Sequence, residues 1–139
     1  MRVLSIDFGD KTIGLALKDS SLDLVMPIVA IQRSVSENYF QSIKEVIQSK
    51  SIDIIVVGIP LKLDGSDGAQ ATKTRVFIDQ LSTVIDNSIF TVDESFSSVE
   101  ATSNLVNSGM DSKKLADVID SAAACVILER FVKESTLLD

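Results

Sequence analysis

Residues 2–17 read RVLSIDFGDKTIGLAL, from Arg2 to Leu17, and the arrangement of the rest of the chain follows from them. A short apolar run ends in a carboxylate, Asp7, followed by a turn with Gly9 and a second apolar run, Ile13 to Leu17. Branched residues, short length and closing turn residues mark both runs as strands. A two-residue period puts Leu4, Ile6 and Phe8 on one face and Val3, Ser5 and Asp7 on the other. In the second run Thr12, Gly14 and Ala16 share a face with almost no bulk, which predicts close approach of another element. A carboxylate beside glycine is also ordinary turn chemistry, so Asp7 acquires meaning only in the company of other carboxylates.

The 139 residues are expected to form one domain, residues 1–139, with 45% hydrophobic and 24% charged side chains. No segment approaches the ~20 apolar residues of a membrane span. The first residues lack the apolar core and cleavage site of an export signal, so the expected compartment is the cytoplasm. The sequence has no histidine and one cysteine, Cys125. The lack of histidine excludes Ser-His-Asp and Cys-His chemistry and histidine zinc sites, and the single cysteine argues against disulfides and a thiolate metal site. Carboxylates, hydroxyls, lysines or an oxygen-held metal must carry any reaction. A net charge of −7 disfavours binding nucleic acid by bulk electrostatics, but bound cations can supply the positive charge the chain lacks.

Pro27 to Ile31 reads as a third strand, completing an antiparallel meander. Ser34 and Glu37 have capping-box spacing ahead of Tyr39, Phe40, Ile43, Val46 and Ile47, which predicts a helix to about Lys50. Ile52 to Gly58 is almost wholly apolar and β-branched, as in a central strand parallel to the first. The polar loop after it leads into a helix starting near Asp67 or Gly68, with Phe77, Ile78, Leu81, Val84 and Ile85 buried. Ile89 to Glu94 is a fifth strand ending in two carboxylates, Asp93 and Glu94, which point to opposite faces. Ser97 and Glu100 predict a helix closed by Gly109. A final helix from Asp111 or Ser112 to about Val132 buries Leu115, Ile119, Ala122, Ala123, Val126 and Ile127, with Asp117 and Asp120 on one side. Residues 134–139 are expected to be loose.

Three strands, helix, strand, helix, strand, helix, helix, with carboxylates ending strands one and five and in the last helix, resembles the ribonuclease H-like fold. Within it, the chain is similar to the YqgF family, also called RuvX. IDFGDKTIGLA, VVGIPLKLDGSDGAQA, DESFSSVEA and IDSAAACVIL look like the family's four motifs, in order and at its spacing, from Arg2 to about Phe131. The resemblance implies an α/β architecture: a five-stranded mixed sheet, three strands antiparallel and two parallel, flanked by helices. It implies a divalent-metal-dependent nuclease that hydrolyses phosphodiester bonds of structured nucleic acid. The leading substrate is the 16S ribosomal RNA precursor, matured at its 5′ end. The alternatives are a Holliday junction resolvase-type DNA endonuclease acting on branched DNA, and a catalytically weak RNA- or ribosome-binding module.

Carried over by position, Asp7, Glu94 and Asp120 are the expected catalytic residues and ligands of Mg²⁺ or Mn²⁺, with Asp117 as an auxiliary ligand. Gly9, Lys11, Lys62, Ser66, Gln70 and Arg75 are expected to border the substrate. The chain departs from the family at Thr12 and Ser95, where arginine is usual, and at Lys62 and Ala69, where asparagine and proline are usual. The acids are kept while two arginines are missing, so substrate phosphates would fall to other residues, such as Lys11, Lys73, Arg75, Lys113 and Lys114. Nucleotide binding, as in actin-like ATPases and sugar kinases, is a third reading, but those proteins close two lobes on ATP and this chain is sized for one.

Overall fold

The computed structural model describes residues 1–22, 24–34, 38–95 and 112–134, with the backbone alone for 112–120. The elements are β1 (Arg2–Phe8), β2 (Thr12–Asp19), β3 (Val25–Gln32), α1 (Tyr39–Ser49), β4 (Ile54–Ile59), α2 (Ala69–Ser82), β5 (Ser88–Asp93) and α3 (Ser112–Glu134). The strands form one sheet in the order β3-β2-β1-β4-β5. β1 pairs antiparallel with β2 and parallel with β4, and β4 pairs parallel with β5. The expected five-stranded mixed sheet is therefore present. All six residues of β4 are buried, as the unbroken apolar run required.

Alternation along β1 separates two cores. Leu4, Ile6 and Phe8 pack with Ile43 and Ile47 of α1 and with Phe77 and Leu81 of α2. Val3 packs on the other face with Ala124, Ile127, Leu128 and Phe131 of α3. α1 and α2 thus cover one side of the sheet and α3 the other. The face of β2 without bulk lies under α3: Ala16 is fully buried in that second core.

Two buried serines fasten α3. Ser5 Oγ donates to the Ala124 carbonyl at 2.6 Å. The pairing of β2 with β3 shifts register between Ile13 and Leu15. There the Leu15 N–H donates to Ser121 Oγ at 3.2 Å, and that hydroxyl donates to the Ile28 carbonyl at 2.5 Å. A helix side chain thus supplies partners for backbone groups at a bulge, where ladder bonds are lost.

Several boundaries differ from the sequence expectation. α1 begins at Tyr39, not at Ser34, because Asn38 is its cap and accepts a hydrogen bond from the Gln41 N–H at 3.2 Å. β3 begins two residues before Pro27, which is tolerated because β3 is an edge strand. β4 runs from Ile54 to Ile59, and β5 ends at Asp93, just short of Glu94. Val84 falls beyond the end of α2 and is exposed, whereas Ala71 and Thr74 join Phe77 and Leu81 on the buried face. The helix expected between Ser97 and Gly109, the tail after Glu134, and the side chains of Leu115 and Ile119 lie outside the described residues.

Candidate active site

Asp7 stands at the C-terminal end of β1, on the face that carries Val3 and Ser5. Its cross-strand partner in β2 is Gly14. On the β4 side, Gly58 lies one step beyond the paired residues Ile6 and Val57, beside Asp7. Glycines thus flank the carboxylate on both sides. A Cβ built at Gly58 would overlap the Ile127 side chain of α3 and stand 3.0 Å from Glu94 Cβ. The missing side chain is what lets helix and carboxylate come together there.

Glu94 follows β5 directly. Its N–H donates to the Ile59 carbonyl at 3.0 Å, and the residue is only 7% exposed. Its carboxyl group lies close enough to that of Asp7 to interact with it. Burial pushes the Asp7 carboxyl above its ordinary value, and the interaction with Glu94 offsets part of that rise. Asp93 turns away. Despite partial desolvation its carboxyl is held low, because the Ser95 hydroxyl and N–H donate to it at 2.6 and 2.9 Å and Arg130 adds positive charge. The adjacent acids thus have different environments, one meeting Asp7 and the other closing a turn.

Asp120 directly precedes Ser121, so its backbone lies in the turn of α3 pinned over β2. The side chains of Asp120, Asp117, Lys113 and Lys114 lie outside the described residues. Among the described residues no three acidic, histidine or cysteine side chains gather to hold a metal ion. The Asp7 and Glu94 pair nonetheless fits a hard divalent cation. Both donors are oxygens, they are close together, and desolvated carboxylates in contact are stabilised by a shared positive charge.

The residues expected to border the substrate fare differently. Gly9 closes the β1–β2 turn through its N–H to the Thr12 carbonyl at 3.0 Å, and a Cβ there would stand 2.7 Å from that oxygen. Lys11 and Lys62 are exposed. Ser66 Oγ donates to Asp64 at 2.5 Å. Arg75 forms a two-pronged pair with Asp67 at 2.6 and 3.0 Å. Gln70 Nε2 donates to the Phe8 carbonyl at 3.1 Å, tying the start of α2 to the end of β1. Lys73 sits 3.6 Å from Asp10 in an exposed ion pair.

One residue beside the site escaped the sequence reading. Arg33 follows β3; its Nη1 donates to the Gly9 carbonyl at 2.7 Å, and its guanidinium lies 4.7 Å from the centre of the Phe8 ring. No motif marks it. Only the pairing of Thr12 with Gln32 brings it to the β1–β2 turn.

Comparison with known proteins adds independent information. The family model RuvX, described as Holliday junction resolvase, matches residues 1–134. A relative from Maridesulfovibrio salexigens, provisionally named a pre-16S rRNA nuclease, is 36% identical over 132 residues, covering 95% of this chain and 98% of the relative. One from Halothermothrix orenii with the same provisional name is also 36% identical over 132 residues, covering 95% and 94% of the two chains. The fold is shared with the fowlpox virus Holliday junction resolvase (TM-score 0.63, 11% identity, 97% of this chain and 100% of that one). It is also shared with T. thermophilus RuvC solved with a Holliday junction substrate (TM-score 0.58, 11% identity, 98% of each chain). With the family model matched over residues 1–134 and relatives 36% identical along 95% of its length, the chain belongs to the RuvX family of Holliday junction resolvase-like nucleases.

Proposed function

We propose that this chain is a divalent-metal-dependent nuclease whose ligands are Asp7, Glu94 and Asp120, with Asp117 as an auxiliary. The observation that carries the reading is the meeting of Asp7 and the buried Glu94 beside Gly58, at the ends of β1 and β5. Mg²⁺ or Mn²⁺, when bound, would neutralise charge on the scissile phosphate and acidify an attacking water. The chain's own part is to hold two carboxylates together without histidine, with Gly58 admitting α3 and Glu94 beside Asp7. Ser5 and Ser121 keep the α3 backbone that bears Asp120 in register over the sheet.

The names of the relatives support 16S ribosomal RNA precursor as the substrate; cutting in 5′-end maturation is what the family resemblance implies. Branched DNA is the second reading, favoured by the family's description. Thr12 and Ser95, in place of arginines, favour a third, in which the chain binds RNA or the ribosome and cuts weakly. Residues 1–139 act as a single domain on this reading, because every described element borders one sheet. Among the described residues no helix is long and apolar enough to cross a membrane. A ribosomal RNA substrate would place the reaction in the cytoplasm.

The test is cleavage of a 16S precursor and of a four-way DNA junction by wild type and Asp7→Asn, with Mg²⁺, Mn²⁺ or EDTA. Metal-dependent cutting lost in the variant is expected, and the substrate that is cut selects the class. Binding of RNA without cutting would replace the nuclease by the binding module.

A further inference from the structure

On the face of the sheet opposite Asp7, Phe8 lies in a column of rings. Its ring stacks on Phe77 at 4.1 Å with a 13° tilt, and Phe77 stacks on Phe40 at 5.7 Å with a 14° tilt. The Arg33 guanidinium also lies over Phe8, and 5.3 Å from the centre of the Tyr39 ring. The hydrogen bond from Arg33 to Gly9 holds it beside the turn that leaves Asp7. Next to this column, Phe8, Tyr39, Val76 and Phe77 line a groove of about 250 Å³ with Lys73 at its lip. Val76 is half exposed. Lys73 meets Asp10 only in an exposed pair, which an incoming phosphate can exchange.

We propose that this groove takes one unpaired nucleotide of a nucleic acid strand bound by this chain. Its base would lie against Tyr39 and Arg33, and its phosphate would meet Lys73. Two cations beside an aromatic groove, in a chain of net charge −7, match the chemistry of a nucleotide, with a planar ring and an anion. Bases in a duplex are stacked and cannot enter such a groove, so the groove selects an unpaired strand. The proposal rests on the nuclease reading for nucleic acid as the ligand, but the groove can be tested without cleavage.

Tyr39 is the only tyrosine and there is no tryptophan, so intrinsic emission reports from the groove. Emission and fluorescence anisotropy would be followed in EDTA, with 5′-labelled unpaired RNA or DNA 10-mers and with the same sequences as duplexes. The unpaired strands should quench Tyr39 emission and the duplexes should not; the RNA and DNA arms identify which sugar is preferred. Val76→Glu, a change at an exposed helix position, and Arg33→Lys, which keeps the charge but loses the plane, should each weaken binding roughly tenfold. Unchanged emission at saturating strand, equal quenching by duplex, or wild-type affinity in both variants would overturn the groove. Quenching in a protein that cuts nothing would remove the nuclease and leave the groove standing.

Discussion

Replacing Gly58 with alanine should destabilise the protein even though the strand backbone tolerates alanine. With no obstacle, Gly→Ala stabilises by about 0.4–1 kcal/mol, because the unfolded chain loses freedom. Here the new methyl would stand 2.8 Å from Ile127 Cγ1 and 3.0 Å from Glu94 Cβ, and would overlap Ile127 Cδ1. Ile127 is fully buried under the sheet, so it has no room to swing away. Overpacking of this kind costs about 1–3 kcal/mol, which outweighs the entropic gain and sets the sign. Urea unfolding of wild type, Gly58→Ala, Ile127→Val and the double variant measures the effect. Ile127→Val alone should cost about 0.5–1.5 kcal/mol, but it removes the overlapping Cδ1. The double variant should therefore be more stable than the sum of the singles predicts, by about 1 kcal/mol. If Gly58→Ala is neutral or stabilising, or if the two changes simply add, the close approach of α3 to β4 is not what requires glycine. The same displacement should move Glu94, so Gly58→Ala should also weaken stabilisation by added metal.

Other consequences can be measured on the same preparation. The Asp7 carboxyl holds its proton more tightly in the fold than in the unfolded chain, so unfolding releases a proton between its ordinary and raised values. Metal-free stability should then fall as pH rises through that window, and Asp7→Asn should flatten the dependence in urea titrations at stepped pH. Mg²⁺ or Mn²⁺ should raise the melting temperature of wild type and not of Asp7→Asn; an equal rise in both would show that the metal binds elsewhere. Ser121→Ala leaves the Leu15 N–H and the Ile28 carbonyl without their hydroxyl partner and should cost about 1–3 kcal/mol by urea unfolding. The Asp19 carboxylate, held at about 2 by the Ser21 N–H and hydroxyl and by Arg2, favours the fold at neutral pH. That contribution should disappear as pH falls below the ordinary aspartate value towards about 2, and an NMR titration of Asp19 should move upward in Ser21→Ala.

The two-faced reading of residues 3–8 held because strand alternation is fixed by backbone geometry and both faces are buried. The central position of β4 was legible for the same reason, since no partly exposed strand could carry Ile54 to Ile59 without polar interruption. The start of α1 was not legible: Ser34 and Asn38 are both good caps, and local chemistry does not choose between them. Nor were the partners of Gln70 and Arg75, because tertiary placement puts Phe8 and Asp67 within their reach. The different environments of Asp93 and Glu94 had a local signal in Ser95, whose hydroxyl and N–H can bind a carboxylate two residues back. Arg33 had none. Its place depends on the register of β2 with β3, which a bulge shifts and which a helix from the far end of the chain stabilises.

The bond from Ser5 to Ala124 spans 119 residues. A ribosome therefore finishes β1 early and must make nearly everything else before α3 arrives to cover it. Domains made in this order keep apolar surface uncovered while synthesis continues. Val3, Ser5 and Ala16 stay open to chaperones, and to neighbouring nascent chains, until the last helix emerges. Asp7 waits with them, so on the proposed reading of the site a chain stalled before α3 would carry Asp7 without the helix that bears Asp120.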